Sequence, residues 1–211
     1  MNLKRFSEDI KYEMLVPPLG LNLYELTPKQ AEENLRWFLG KIPERIGYLS
    51  ERCASDLAIP LECLDCSPES LKSIWKWFTE TALIVQTPDE EIRLMQKQYA
   101  HLGDSFVNKT KLSVVTEFIV RDIGMYLGEV FTSASSNIKW DLLTKPKNDF
   151  FYNHPVLAGF EDYSFTPPFK AVFEPIHMAG IQAAKLLSGD KNDTNLFDVF
   201  NKWLKYVPQT A

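Results

Sequence analysis

The sequence predicts an α+β fold: a helical N-terminal half, a small antiparallel sheet of about three strands after residue 137, and two C-terminal helices. Three observations predict it. Proline-led helix starts recur through the first half, and beyond Asn137 the hydrophobic period shortens to that of a strand. No glycine-rich turn joins a strand to a helix, as a doubly wound sheet would need, and strands grouped together imply antiparallel pairing.

Residues 1–26 read as an extended entry segment. Val16-Pro17-Pro18-Leu19-Gly20 cannot be helical, because proline removes an N–H donor and restricts the residue before it. Leu15, Leu19, Leu21, Leu23 and Leu26 would pack that arm on the body. Thr27-Pro28-Lys29-Gln30 places a hydroxyl at an N-cap, proline at the first helical position and glutamine at the third. Ala31, Leu35, Phe38, Leu39, Ile42, Ile46 and Leu49 follow at helical spacing, with a kink or break expected at Pro43. Ser67-Pro68-Glu69 starts a second helix with the stripe Leu71, Ile74, Trp75, Phe78 and Ala82; Thr87-Pro88-Asp89-Glu90 starts a third, expected to end near Gly103. Trp37-Phe38 and Trp77-Phe78 lie 40 residues apart, as a two-copy helical repeat would, although shared capping chemistry also accounts for the match.

The longest helix is expected over residues 111–133. Gly124 and Gly128 lie four apart on one face of it, each costing roughly 1 kcal/mol against alanine, which calls for close packing by a neighbour. Ile138, Trp140 and Leu142 alternate with Lys139 and Asp141 as a half-buried strand, and Lys145 to Asp149 forms a turn. Further strands are read at 150–160 and 169–173, then a helix at 174–187 stopped by Ser188-Gly189 and a last amphipathic helix bearing Leu196, Phe197, Phe200, Trp203, Leu204 and Val207. Residues 1–211 suit one globular domain, with 1–103 (helical) and 104–211 (α+β) as candidate subdomains.

Bulk properties exclude several function classes. Apolar residues make up 45% and charged residues 24%, so the chain is not a disordered one. The net charge of -5 and the lack of a polybasic run argue against a nucleic-acid partner, since phosphate neutralisation needs clustered Lys and Arg. No stretch approaches 18 apolar residues, which predicts no membrane span, and charges throughout Met1 to Glu13 predict no signal peptide. The odd number of cysteines, 3, suits free thiols in a reducing compartment, so a cytoplasmic protein is expected.

The candidate chemistry is sparse. Cys63-Leu64-Asp65-Cys66, with Cys53 before it, lacks a fourth zinc ligand nearby, and the helix after it starts one residue too late for a redox pair. Glu174-Pro175-Ile176-His177 has the Glu-x-x-His spacing of di-iron bundles in one copy only, and Glu174 reads better as a favourable charge at a helix start. Glu117, Asp122 and Glu129 lie on the long helix, Asp122 and Glu129 on one face, with Arg121 and Lys111 as cations within reach. The hydroxyl-rich run Thr132 to Asn137 has no nucleophile elbow, and His101 or His154 would become a base only through the fold. Neither a metal site, a cofactor nor a catalytic residue is assigned.

The run Asp122-Ile123-Gly124-Met125-Tyr126-Leu127-Gly128-Glu129-Val130, followed by Lys139-Trp140, resembles a pattern in small uncharacterised bacterial proteins. In these, a helix ending in Y-L-G-E-V leads into a strand bearing tryptophan. The chain is also similar in size and acidity to single-domain immunity proteins of bacterial toxin systems. The likeness spans about 20 of the 211 residues and brings no catalytic residue with it.

These readings together favour a non-enzymatic protein-binding or immunity-type role, with Asp122, Tyr126, Glu129 and Trp140 as candidate binding residues. Trp37, Trp77, Trp140, Tyr163 and Trp203 are the candidate aromatic anchors, and core burial competes for each of them. The alternative is a hydrolase-like enzyme using carboxylates on the long helix, its pocket between that helix and the sheet; Asp122, Glu129 and His177 would be tested first. A helical-repeat scaffold is the third reading.

Overall fold

A computed structural model describes residues 11–20, 22–98 and 108–208. The fold is α+β, with a helical first half, a three-stranded antiparallel sheet and C-terminal helices. The helix α1 (Pro28–Leu57) starts on a capping box, in which the Thr27 hydroxyl accepts from the Gln30 N–H and the Gln30 side chain accepts from the Thr27 N–H. It ends on Ala58 in the left-handed conformation. Helix α1 runs through Pro43 unbroken, against the expected break; Pro43 is on the exposed side, where a lost backbone bond is met by solvent. Helix α2 (Ser70–Thr81) starts later than its serine–proline signal, because Ser67 and Pro68 first close a turn whose Ser67 carbonyl accepts from both the N–H and the hydroxyl of Ser70.

Next come strand β1 (Ile84–Gln86), helix α3 (Asp89–Gln98) and strand β2 (Thr110–Leu112). The end expected near Gly103 lies outside the described residues, as does His101. Strands β1 and β2 pair antiparallel, Ile84 with Leu112 and Gln86 with Thr110, a small second sheet that the periodicity did not predict. That pairing moves the start of the long helix α4 (Val114–Ala134) from Lys111 to the Ser113 cap, whose side chain accepts from the Thr116 N–H.

The main sheet is β3 (Lys139–Leu142), β4 (Pro155–Asp162) and β5 (Phe169–Phe173), in that order. Trp140 pairs with Leu157, and Leu157 with Phe173. Residues 150–154, expected in the strand, instead form a loop ahead of it, because Asn153 has φ 65° and its N–H is turned onto the Leu143 carbonyl at 2.7 Å. Gly159, at φ 104°, sits in a break of the β4–β5 register, where a Cβ would lie 2.1 Å from the Asn137 carbonyl oxygen. Helix α5 (Pro175–Ala184) continues as a 3₁₀ turn (Lys185–Ser188) closed by left-handed Gly189, and α6 (Asn195–Leu204) ends the fold.

Helix α4 is the axis of the core. Residues 122–128 on it are all buried, and α5, α1, α2, α6 and β3 pack around it. Gly124 admits α5, since a Cβ there would lie 2.5 Å from the Cα of Ile176; Gly128 admits the Trp140 ring, which a Cβ would meet at 2.1 Å. The predicted close packing at both glycines therefore has two different partners. Toward the C-terminal end of α4, Phe131 makes edge and tilted contacts with Phe160, Phe173 and Phe200 at centroid distances of 4.7–5.4 Å. Among the described residues no helix is long and apolar enough to cross a membrane.

Candidate functional site

The four residues singled out from sequence all have partners within the fold. Asp122 is 2% exposed and receives the Arg45 guanidinium of α1, with Nη2 at 2.7 Å and Nε at 3.1 Å from Oδ2. The Tyr12 hydroxyl donates to the same oxygen at 2.6 Å. The cation in contact is thus Arg45, 77 residues away, and not the neighbouring Arg121 or Lys111. Arg45 also donates to the Glu13 carbonyl at 2.6 Å and lies over the Tyr48 ring at 4.8 Å. Burial, with the Asp122 carboxylate alongside, pushes the Tyr12 phenol far above its ordinary range, so it stays a donor.

Tyr126 is fully buried; its hydroxyl donates to Ser70 Oγ at 2.7 Å and accepts from the Cys66 N–H. Glu129 accepts from the Trp140 indole N–H at 2.8 Å, and Trp140 meets Phe38 edge-on. His177 stands at the outer surface with its ring near Phe150 and Phe151. Asp122, Glu129 and His177 therefore occupy three separate environments. Glu117 is exposed, and burial of part of its side chain raises its carboxyl above the usual range. Among the aromatic anchors Trp77 is buried and donates to Asp56, Trp203 packs on Phe160 and Phe173, and Tyr163 is exposed.

The cysteines are free: Cys63 is exposed on a 3₁₀ turn, whereas burial pushes the Cys66 thiol up to about 11 and that of Cys53 up to about 12. Among the described residues no three His, Cys, Asp or Glu side chains gather where they could hold a metal ion.

A different constellation is sheltered. A cavity of about 180 Å³ lies between the N-terminal arm (Pro17, Gly20, Leu23), α1 (Asn34, Trp37, Phe38), α4 (Arg121), the entry to β4 (His154, Pro155) and the start of α5 (Glu174, Ile176). Each wall has a local cause. Asn153 Nδ2 holds the arm by donating to the Leu23 and Leu26 carbonyls at 3.2 and 2.8 Å. Glu174, 5% exposed, is the N-cap of α5 and accepts from the His177 N–H, which fixes its carboxylate at this position. Its other oxygen lies 3.5 Å from His154 Nδ1. The absent Cβ at Gly124 lets Ile176 close one side.

Two lining groups are chemically unfinished. Arg121 Nη1 and Asn34 Oδ1 are buried without a hydrogen-bond partner among the described residues. Among the described residues Arg121 has no carboxylate within 4.0 Å, the nearest charges being felt only through the fields of Asp122 and Glu174. Burial lowers its guanidinium from the ordinary value, yet arginine keeps its charge at neutral pH. A permanent cation in a mostly apolar recess can take an anion, the Asn34 carbonyl oxygen can take a donor, and His154 beside Glu174 can hold or pass a proton. No serine, threonine, cysteine or lysine is among the described lining residues.

In the sequence Trp37 stands out only as an aromatic, Arg121 only as a partner for neighbouring acids and His154 only as a base the fold would have to make, and Asn34 carries no signal. The one available signal was a cation inside the otherwise apolar run Phe118-Ile119-Val120-Arg121. No family model, curated protein or solved structure matches the chain.

Proposed function

We propose that the chain is a binding protein whose recognition site is this cavity, and that it takes a small molecule. One observation carries the reading: the recess is lined by an arginine and an asparagine that each hold a buried polar atom with no partner. Buried polar groups in native folds are otherwise nearly always satisfied, and of the five such unpartnered atoms among the described residues only these two line this cavity. The binding reading is supported by a lining that, among the described residues, has no serine, threonine, cysteine or lysine and holds its one carboxylate, Glu174, on the His177 N–H. The test is ligand-observed NMR with six-carbon acids, amines, alcohols and amides. Saturation transfer to at least one of these classes is expected from the wild type and lost in Leu23→Trp, which fills the recess while leaving the circular dichroism unchanged. Transfer that persists in the filled variant, or none from any class, sinks the reading.

A second reading, protein recognition of the toxin-neutralising kind, draws on a different surface. The β4–β5 hairpin exposes Tyr163, Phe165 and Phe169 by 57–60%, with Phe165 and Phe169 rings 6.0 Å apart. Clustered exposed aromatics are the side chains that interfaces use as anchors. Its test is co-purification from the native host: a partner held by the wild type is expected to be lost when all three are changed to serine, and a partner retained equally by both counts against the hairpin.

A further inference from the structure

Resting on the reading of the cavity as a ligand site, we propose that the ligand is a small, mainly apolar monocarboxylate that also carries a hydrogen-bond donor. The anion follows from Arg121. Its Nη1 is buried, among the described residues it has no ion pair, and the one carboxylate among the described lining residues is already engaged, Glu174 accepting from the His177 N–H and facing His154. The place beside Arg121 is therefore open to an anion from outside the described residues. A planar two-donor fork matches the two coplanar oxygens of a carboxylate.

Charge number and lining narrow the class. One unpaired cation balances one negative charge, and a dianion would leave an excess charge against Trp37, Phe38 and Ile176. Phosphate would need more donors than the cavity presents. No lysine or second arginine lines it among the described residues, and the α5 start, which would otherwise offer N–H groups to a phosphate, is closed by Glu174. Asn34 Oδ1 asks for a donor, which a hydroxyl or amino group on the ligand supplies. A space of about 180 Å³ corresponds to roughly six waters at liquid density, which sets a ligand of on the order of six to ten non-hydrogen atoms.

The experiment is isothermal titration of the full chain with 2-hydroxy-4-methylpentanoate, 4-methylpentanoate, 4-methylpentanamide and inorganic phosphate. The hydroxy acid is expected to bind best, the plain acid about 10-fold more weakly for loss of one hydrogen bond, and the neutral amide about 100-fold more weakly. Phosphate should give no heat. Arg121→Met should abolish acid binding, Arg121→Lys should weaken it about 10-fold because the charge stays and the fork goes, and Asn34→Ala should bind both acids alike. The proposal is overturned if no acid binds, if Arg121→Met binds them as tightly as wild type, or if phosphate binds in their place. Should the amide bind as well as the acids, indifferent to Arg121→Met, the cavity would stand as a ligand site and only the carboxylate assignment would fall. Silence from all four compounds, together with no NMR transfer to any class, would remove both.

Discussion

Arg121 and Asp122 are consecutive ionisable residues on one helix, one partly buried and the other fully so, and their surroundings could hardly differ more. Asp122 points to the α1 side and is met by Arg45 and Tyr12 at 2.6–3.2 Å. Arg121, a helical step of roughly 100° round, borders the cavity with Nη1 unpartnered. A buried charge by itself does not mark a site, because the fold can close it with its own groups, as it does at Asp122. The informative difference is satisfaction: a charge that the chain finishes internally serves stability, and one it leaves open is available to a ligand.

The strongest test of that contrast is to break the satisfied side. Arg45→Met leaves the Asp122 carboxylate buried with only the Tyr12 hydroxyl, and should cost about 3–5 kcal/mol in urea unfolding. The double variant Arg45→Met/Asp122→Leu should cost less than the single one, since an apolar pair leaves no orphaned charge. A single variant losing under about 1 kcal/mol would mean that water or Arg121 can serve Asp122 as well as Arg45 does, and the two residues would no longer stand apart.

Next in size is the packing that keeps the two faces distinct. Gly124→Ala drives a Cβ against the Ile176 backbone at 2.5 Å, so the start of α5 has to move, and with it a wall of the cavity. Overpacking of this kind costs roughly 1–3 kcal/mol, and alanine's better helix propensity offsets about 1 of that. A net loss of about 0–2 kcal/mol is expected in thermal unfolding, together with weaker ligand binding. Gly128→Ala presses instead on the Trp140 ring at 2.1 Å, one residue removed from the cavity through Phe38, and should lose similar stability with a smaller loss of binding than Gly124→Ala.

Much of this architecture could be read from local pattern and little of the site could. The Thr27 capping box, the Glu174 cap and the Gly189 stop are decided within one turn of chain, so they are visible in sequence. Strand β2 was absorbed into the long helix because its three residues give no period of their own, and only pairing with β1 makes it a strand. The acids on α4 stood out because charge is conspicuous on an apolar helix, but their partners lie 77 residues off in Arg45 and on the next strand in Trp140. Asn34 has no sequence signature at all; what distinguishes it is the missing partner at Oδ1, a property of the assembled fold.

A smaller effect appears at alkaline pH and reports on the satisfied network alone. Folding holds the Tyr12 phenol above its ordinary value of 10.0 through burial and the Asp122 carboxylate. A group whose folded pKa is raised gives stability that is intact below the unfolded pKa and is lost as pH climbs beyond it. Tyr12 should therefore make no pH-dependent difference at pH 8 and subtract about 0.8 kcal/mol by pH 10.5. Tyr12→Phe should be less stable at pH 8 and show a flatter decline above pH 10, read from urea midpoints across the series; parallel decline in both proteins would place the phenol outside the network.

The one effect of opposite sign, down to none at all, belongs to Arg121→Met. Methionine keeps much of the apolar stem and removes a guanidinium that burial already disfavours. No acid is orphaned by the change, because Asp122 keeps Arg45 and Tyr12, while Glu174 keeps the His177 N–H and His154. Stability in the absence of ligand should therefore stay level or rise by up to about 1 kcal/mol, with the urea m-value unchanged. A loss of about 2 kcal/mol or more would show that Arg121 is a structural cation with a partner in the fold, and its open position beside the cavity would then say nothing about ligands.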